Sequence, residues 1–222
     1  MEEGIQKLAL MFVPFLLAVV FHEYAHGLVA LKWGDNTAKA AGRLTLNPAP
    51  HIDPIGTLLL PGLMMMMPGG LLFGWAKPVP INPTRFTKYR PGLFWVSFAG
   101  PLMNFLLALI SAAVFCAILK FVSPHFSLYS PLLEIARISV LINFFLGIFN
   151  LIPLPPLDGS KMLQSYLSYE ATQKYEALAQ YSFWILLALL LTGTLRYLAI
   201  PVFFAYNATL KLMMALFGIQ PF

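Results

Sequence analysis

Five consecutive positions, HEYAH from His22 to His26, set two histidines and a glutamate into an otherwise apolar stretch. Histidines four residues apart stack on one face of a helix, so both imidazoles can converge on a single metal ion. Zinc suits such a pair, and a catalytic zinc site takes three protein ligands and keeps one position for water. Glu23, beside the first ligand, is placed to take a proton from that water, whose pKa the metal lowers towards neutrality. With four histidines and six glutamates in 222 residues, a chance HExxH is expected about 0.002 times per chain. Ionisable groups in a membrane segment are costly unless they find partners, so a functional site is the default reading.

A third ligand must come from elsewhere in the chain. Glu134, Arg137, Asp158 and Arg196 are the main ionisable residues at or near other apolar segments. Asp158 stands in NLIPLPPLDG, 150–159, where three prolines break the helix and Gly159 lets the backbone turn. Broken backbone at membrane depth is tolerated where it lines a cavity or a site.

The elements that must position these groups are membrane helices. Hydrophobic residues make up 59% of the chain and charged residues 10%, with a mean hydropathy of +0.76. A soluble domain of this length cannot hide so much apolar surface. The expected fold is therefore an all-α multispanning membrane protein with about five to six transmembrane or re-entrant segments. An apolar helix needs roughly 20 residues to span, and 5–31, 93–119, 132–151 and 178–191 read as convincing segments. Segment 197–217 contains Pro201 and Asn207 but is long enough, whereas 56–75 is interrupted by Pro61, Pro68, Gly69 and Gly70 and reads as a broken or re-entrant element. Its run of four methionines, 64–67, reads as adaptable apolar filler.

Two stretches between the first helix and the one at Leu93, GRLTLNPAPHIDP and FGWAKPVPINPTRF, carry strand or turn character, because their Pro, Asn and Gly content forbids continuous helix. The whole of 1–222 reads as a single membrane-embedded domain, with a catalytic core at about 5–165, a C-terminal helical hairpin at about 178–217 and no room for an appended module. The first segment has no small-residue cleavage pattern and reads as a retained helix. The single cysteine, Cys116, excludes disulfides and thiolate metal sites within the chain. A net charge of +5 is explained by loop bias and gives no reason to expect nucleic acid.

Basic residues set an orientation. Lys32, Lys39 and Arg43 follow the first helix, and Lys77, Arg85, Lys88 and Arg90 precede Leu93, so both loops are expected to be cytoplasmic. The region 56–75 must then return to the side it left. At 1.5 Å per residue the histidines lie roughly 9 to 15 Å below the cytoplasmic boundary at Lys32. One helix out and one back bring Asp158 to that same end, whereas a simple single crossing at 56–75 would carry it to the opposite leaflet.

HEYAH, GPLMN at 100–104 and NLIPLPPLDG together resemble the site-2 protease family of intramembrane zinc metalloproteases, over about 12–161. GRLTLNP and FGWAKPVPINP are similar to its short members without an extra domain. The resemblance implies one zinc ion per chain bound by His22, His26 and Asp158, with Glu23 as the base. It also implies that Asn150 holds the substrate or its developing oxyanion, a job an amide N–H suits. The implied substrate is a single-pass membrane protein or membrane-embedded peptide, cut in or near its transmembrane segment. The implied location is the cell membrane, within the lipid bilayer, with the active site towards the cytoplasmic leaflet.

Asn104 reads as an interhelical hydrogen-bonding residue, and His51 and His125 as ordinary polar loop residues. The competing class is a metal or ion transporter using the same His and Asp cluster as a transit site. A transit site has no need of Glu23 beside the ligand, and no inverted repeat is evident. An inactive scaffold of the same fold is expected to have lost the glutamate or a ligand, and all are present.

Overall fold

The computed structural model describes residues 2–59 and 74–220. The elements are α1 (Glu2–Lys32), a single turn α2 (Thr37–Ala40), α3 (Tyr89–Phe121), α4 (Tyr129–Asn150), α5 (Asp158–Gln164), α6 (Tyr169–Glu176), α7 (Ser182–Leu191) and α8 (Ala199–Phe217). Among the described residues there is no strand. Among the described residues four helical stretches are long and apolar enough to cross a membrane: Leu10–Lys32, Tyr89–Phe121, Tyr129–Asn150 and Thr194–Phe217. The chain is thus an all-α, multi-pass membrane protein. Large apolar side chains such as Leu17, Ile110, Phe204 and Leu216 face outward, as the lipid-facing surface of such a bundle requires.

Helices α1, α3 and α4 form the centre, with α8 packed on the outer part of α3 and α4. Ala108 and Ala112, one turn apart on α3 and fully buried, let Val140 and Phe144 of α4 and Val202 of α8 approach closely. Small residues do this in membranes, where no hydrophobic force between helices substitutes for contact. At the other end Ala30, Phe86, Leu93 and Val96 form a second cluster beneath Trp33 and Ile81. This cluster seats the loop that precedes α3 against the end of α1.

The expected convincing segment 178–191 differs from what is observed. A 3-10 turn, Ala177–Tyr181, leads into only ten residues of α7, and Gly193 then adopts a left-handed backbone. Ten residues rise about 15 Å, half of a membrane core. The expected return at 56–75 has a physical basis in its flanks. The Trp75 N–H donates to the Gly56 carbonyl (3.0 Å) and the Thr57 hydroxyl donates to the Trp75 carbonyl (2.8 Å). The chain that leaves at Gly56 is therefore back beside it at Trp75. Pro61, Pro68, Gly69, Gly70 and the methionine run lie outside the described residues.

Candidate metal centre

Helix α1 carries His22 and His26 one turn apart, 8% and 6% exposed, facing α3. The two helices run antiparallel there: the His26 Nδ1–H donates to the Val96 carbonyl (2.6 Å), and His22 Nδ1 lies 2.6 Å from Asn104 Oδ1. Gly100 makes this approach possible. A Cβ at that position would stand 2.6 Å from His22 Nε2 and would also overlap His26. In GPLMN the glycine thus clears space for the imidazole pair, and the asparagine one turn later holds one of its members.

The proline-broken turn after α4 delivers the third group. Leu157 N–H donates to the Leu154 carbonyl (2.9 Å), and both the backbone and the hydroxyl of Ser160 donate to the Leu157 carbonyl (3.0 and 2.7 Å). The turn folds back so closely that a Cβ on Gly159 would overlap the Leu151 carbonyl. Tyr175 of α6 ties the same turn from outside, its hydroxyl donating to the Pro153 carbonyl (2.6 Å). Asp158 Oδ2 is thereby held 3.1 Å from His22 Nε2 and 3.3 Å from His26 Nε2, with the two Nε2 atoms 3.0 Å apart.

The donor chemistry of this triangle fits a cation. Both imidazoles use Nδ1 as a donor to an oxygen, which leaves each neutral ring with a lone pair at Nε2. The carboxylate oxygen they face is buried and has no hydrogen-bond donor. With both imidazoles neutral, three acceptors within 4.8 Å of one another repel unless a cation, a proton or a metal ion, sits among them. Two imidazoles and one carboxylate are a donor set that suits zinc and leaves a position open.

A cleft of about 200 Å³ opens over the triangle and is also lined by Glu23, Asn150, Pro78, Val79, Ile81 and Lys161. Glu23 Oε2 accepts the Val79 N–H at 2.7 Å. The segment 74–82 that brings Val79 here is neither helix nor strand. It is fastened at several points: Lys77 N–H donates to the His51 carbonyl (2.9 Å), Arg43 to the Lys77 and Pro78 carbonyls (2.7 and 3.3 Å), and Asn82 N–H to Asp35 Oδ2 (2.6 Å). Asp35 is fully buried. Burial opposes its charge, but hydrogen bonds from Thr37 and from the Asn82 and Thr37 backbones outweigh that and hold its carboxyl below the ordinary range.

Each residue expected from sequence has a definite place. His22, Glu23, His26, Asn150 and Asp158 all border one cleft. Asn150 has its Nδ2 donating to the Leu146 carbonyl one turn back (3.0 Å), so one of its two N–H bonds is already used. Glu134 and Arg137 pair with each other instead of joining the cluster (2.6 Å). His51, read as an ordinary polar loop residue, lies outside the cluster and is fully buried, with Nε2 2.9 Å from the Thr45 carbonyl. Its burial depends on residue 77 arriving across it, which no local pattern announces. His125 is exposed. Asn143, buried behind Asn104, was not singled out in the sequence. The available signal was its spacing, since Ser139, Asn143 and Asn150 fall on one side of an apolar helix.

The description Peptidase family M50 matches residues 118–192, a stretch that contains Asn150 and Asp158 but not HEYAH. The chain is 36% identical over 207 residues, 92% of this chain and 91% of the relative, to "Putative zinc metalloprotease YwhC" of Bacillus subtilis. It is 28% identical over 187 residues, 84% of this chain and 68% of the relative, to "Putative zinc metalloprotease Rip2" of Mycolicibacterium smegmatis. It is also 28% identical over 160 residues, 72% of this chain and 35% of the relative, to "Zinc metalloprotease MJ0392" of Methanocaldococcus jannaschii. No solved structure matches the chain.

Proposed function

The chain belongs to peptidase family M50, and from that membership and the geometry of the cleft we propose that it is a zinc metallopeptidase that cuts a peptide bond in or near the transmembrane segment of another membrane protein. The observation that carries this reading is the triangle of three acceptors, His22, His26 and Asp158, beside a carboxylate on the same helix turn. The names of the relatives, all metalloproteases, favour hydrolysis over transport.

His22 Nε2, His26 Nε2 and Asp158 Oδ2 would hold the ion. When bound, zinc supplies Lewis acidity, lowering the pKa of water and polarising a peptide carbonyl. Glu23 serves as the proton carrier. Its Oε2 is fixed by the Val79 N–H, so Oε1 accepts a proton from the attacking water and later returns it to the leaving amine. Asn150 uses its second amide N–H to steady the carbonyl oxygen as negative charge develops there.

A helical substrate buries its carbonyls in its own hydrogen bonds and must unwind to be cut. Val79 and Ile81 line the cleft; Glu23 already takes the Val79 N–H, so an extended substrate chain laid along this segment pairs with the Ile81 N–H and with backbone carbonyls, a short form of strand addition. Pro78 and Pro80, between and beside them, have no N–H to offer a competing partner. The charge bias of the loops supports a position for this cleft at the cytoplasmic leaflet of the cell membrane.

The test uses wild type and Glu23→Gln in detergent with a synthetic transmembrane peptide as substrate. Equal zinc content in both, with cleavage by the variant at least about 100-fold slower, is expected. Metal flux through proteoliposomes by both proteins, with cleavage by neither, would overturn the reading.

A further inference from the structure

Asn104 is not the end of the polar contacts behind His22. Its Nδ2 donates to the Ala18 carbonyl (3.2 Å) and to Asn143 Oδ1 (2.9 Å). Asn143 Nδ2 donates in turn to the Ser139 carbonyl (2.9 Å), and Ser139 Oγ lies 2.8 Å from Ser111 Oγ. These groups lead away from the cleft into the apolar centre of the bundle, where Asn104 and Asn143 are 0% and 1% exposed. Interhelical hydrogen bonds in lipid contribute little net stability, so gluing helices together is a poor reason to bury two amides here.

The direction of the chain supplies a better one. A backbone carbonyl only accepts, so the Ser139 carbonyl fixes the NH2 end of Asn143 and the Ala18 carbonyl fixes the NH2 end of Asn104. Asn143 must then present its oxygen to Asn104, and Asn104 its oxygen to His22. His22 therefore carries its proton on Nδ1, and Nε2 keeps its lone pair towards His26 and Asp158. Turning either amide over would set NH2 against NH2 or oxygen against oxygen within the chain.

We propose that Asn143 is a positioning residue of the metal centre: acting through Asn104, it holds His22 in the tautomer and ring orientation that can bind a metal. The proposal rests on the zinc reading above. Outer partners of ligating histidines change metal affinity about 10- to 100-fold, and removing one link two residues away is expected to act near the lower end of that range.

Zinc affinity is measured by chelator competition on the full-length protein in detergent, with the cobalt-substituted absorption band as a signature of ligand geometry. Asn143→Ala is expected to weaken zinc about tenfold and to alter the cobalt band. Val140→Ala, which loosens the same helix without touching the polar chain, is expected to do neither. Asn104→Asp, whose carboxylate still accepts from His22 Nδ1–H, is expected to keep zinc tighter than Asn104→Leu, and this pair decides the matter if Asn143→Ala does not fold. Wild-type affinity and band in Asn143→Ala, equal losses in Asn143→Ala and Val140→Ala, or indistinguishable Asn104→Asp and Asn104→Leu would overturn the proposal alone. No zinc bound by wild type would overturn the metal reading and this inference with it.

Discussion

Two proline-rich segments meet at the candidate metal centre, and they serve it in opposite ways. The turn 151–157 ends by delivering a side chain, Asp158, to the histidines. The strap 74–82 delivers backbone instead: its N–H groups are taken up by carboxylates, Val79 by Glu23 and Asn82 by Asp35. Proline explains both. It removes competing donors and prevents helix, so in the turn the chain can fold back on itself, and in the strap only selected N–H groups remain to be recognised. Similar composition therefore yields a buried carboxylate in one place and a backbone surface in the other.

The comparison makes graded predictions. Asp158→Ala takes away what the turn delivers and is expected to abolish both zinc retention and cleavage, with activity down at least about 1000-fold. Val79→Pro takes away what the strap delivers, one N–H to Glu23. Zinc content is expected to stay at the wild-type level while cleavage falls about tenfold, the equivalent of about 1.4 kcal/mol for a hydrogen bond to a charged group. Unchanged cleavage by Val79→Pro would erase the distinction between the two segments.

At the far anchor of the strap the effect is expected on stability and least on cleavage. Asp35→Asn keeps the shape and an acceptor oxygen but gives up the charge, and thermal or denaturant unfolding should register a loss of about 1–2 kcal/mol. The pH dependence follows from the direction of the shift. The folded-state carboxyl titrates below its ordinary value, so its contribution is fully present above the unfolded value of about 3.9. It is lost as pH falls below that, and Asp35→Asn should show no such loss.

These differences also mark what the sequence could and could not disclose. The meeting of HEYAH and LDG was legible because helical spacing alone brings both imidazoles to one face, and one helix out and one back return Asp158 to the same end. Asn104 was readable as an interhelical residue, but its partner was not, since a single asparagine does not name the helix it will face. Asn143 drew no attention for the same reason. His51 stands in a loop outside the cluster as expected, but its burial was not readable, since the strap that meets it comes 26 residues further along. The strap itself read as strand-like, yet it forms no ladder, because prolines remove alternate donors and carboxylates claim others. Segment 178–191 looked like a span because hydropathy counts composition, whereas the left-handed Gly193 and the 3-10 turns on either side cut the helix short.

The central claim is that His22, His26 and Asp158 together bind one catalytic metal ion. Zinc-edge X-ray absorption on the purified wild-type protein tests it most directly, combined with metal analysis of wild type and Asp158→Ala. About one zinc per chain is expected, with two imidazole ligands and nitrogen or oxygen neighbours only, and with loss of that zinc in Asp158→Ala. Absence of zinc from wild type, or a zinc whose amount and ligand shell are unchanged by Asp158→Ala, would contradict it.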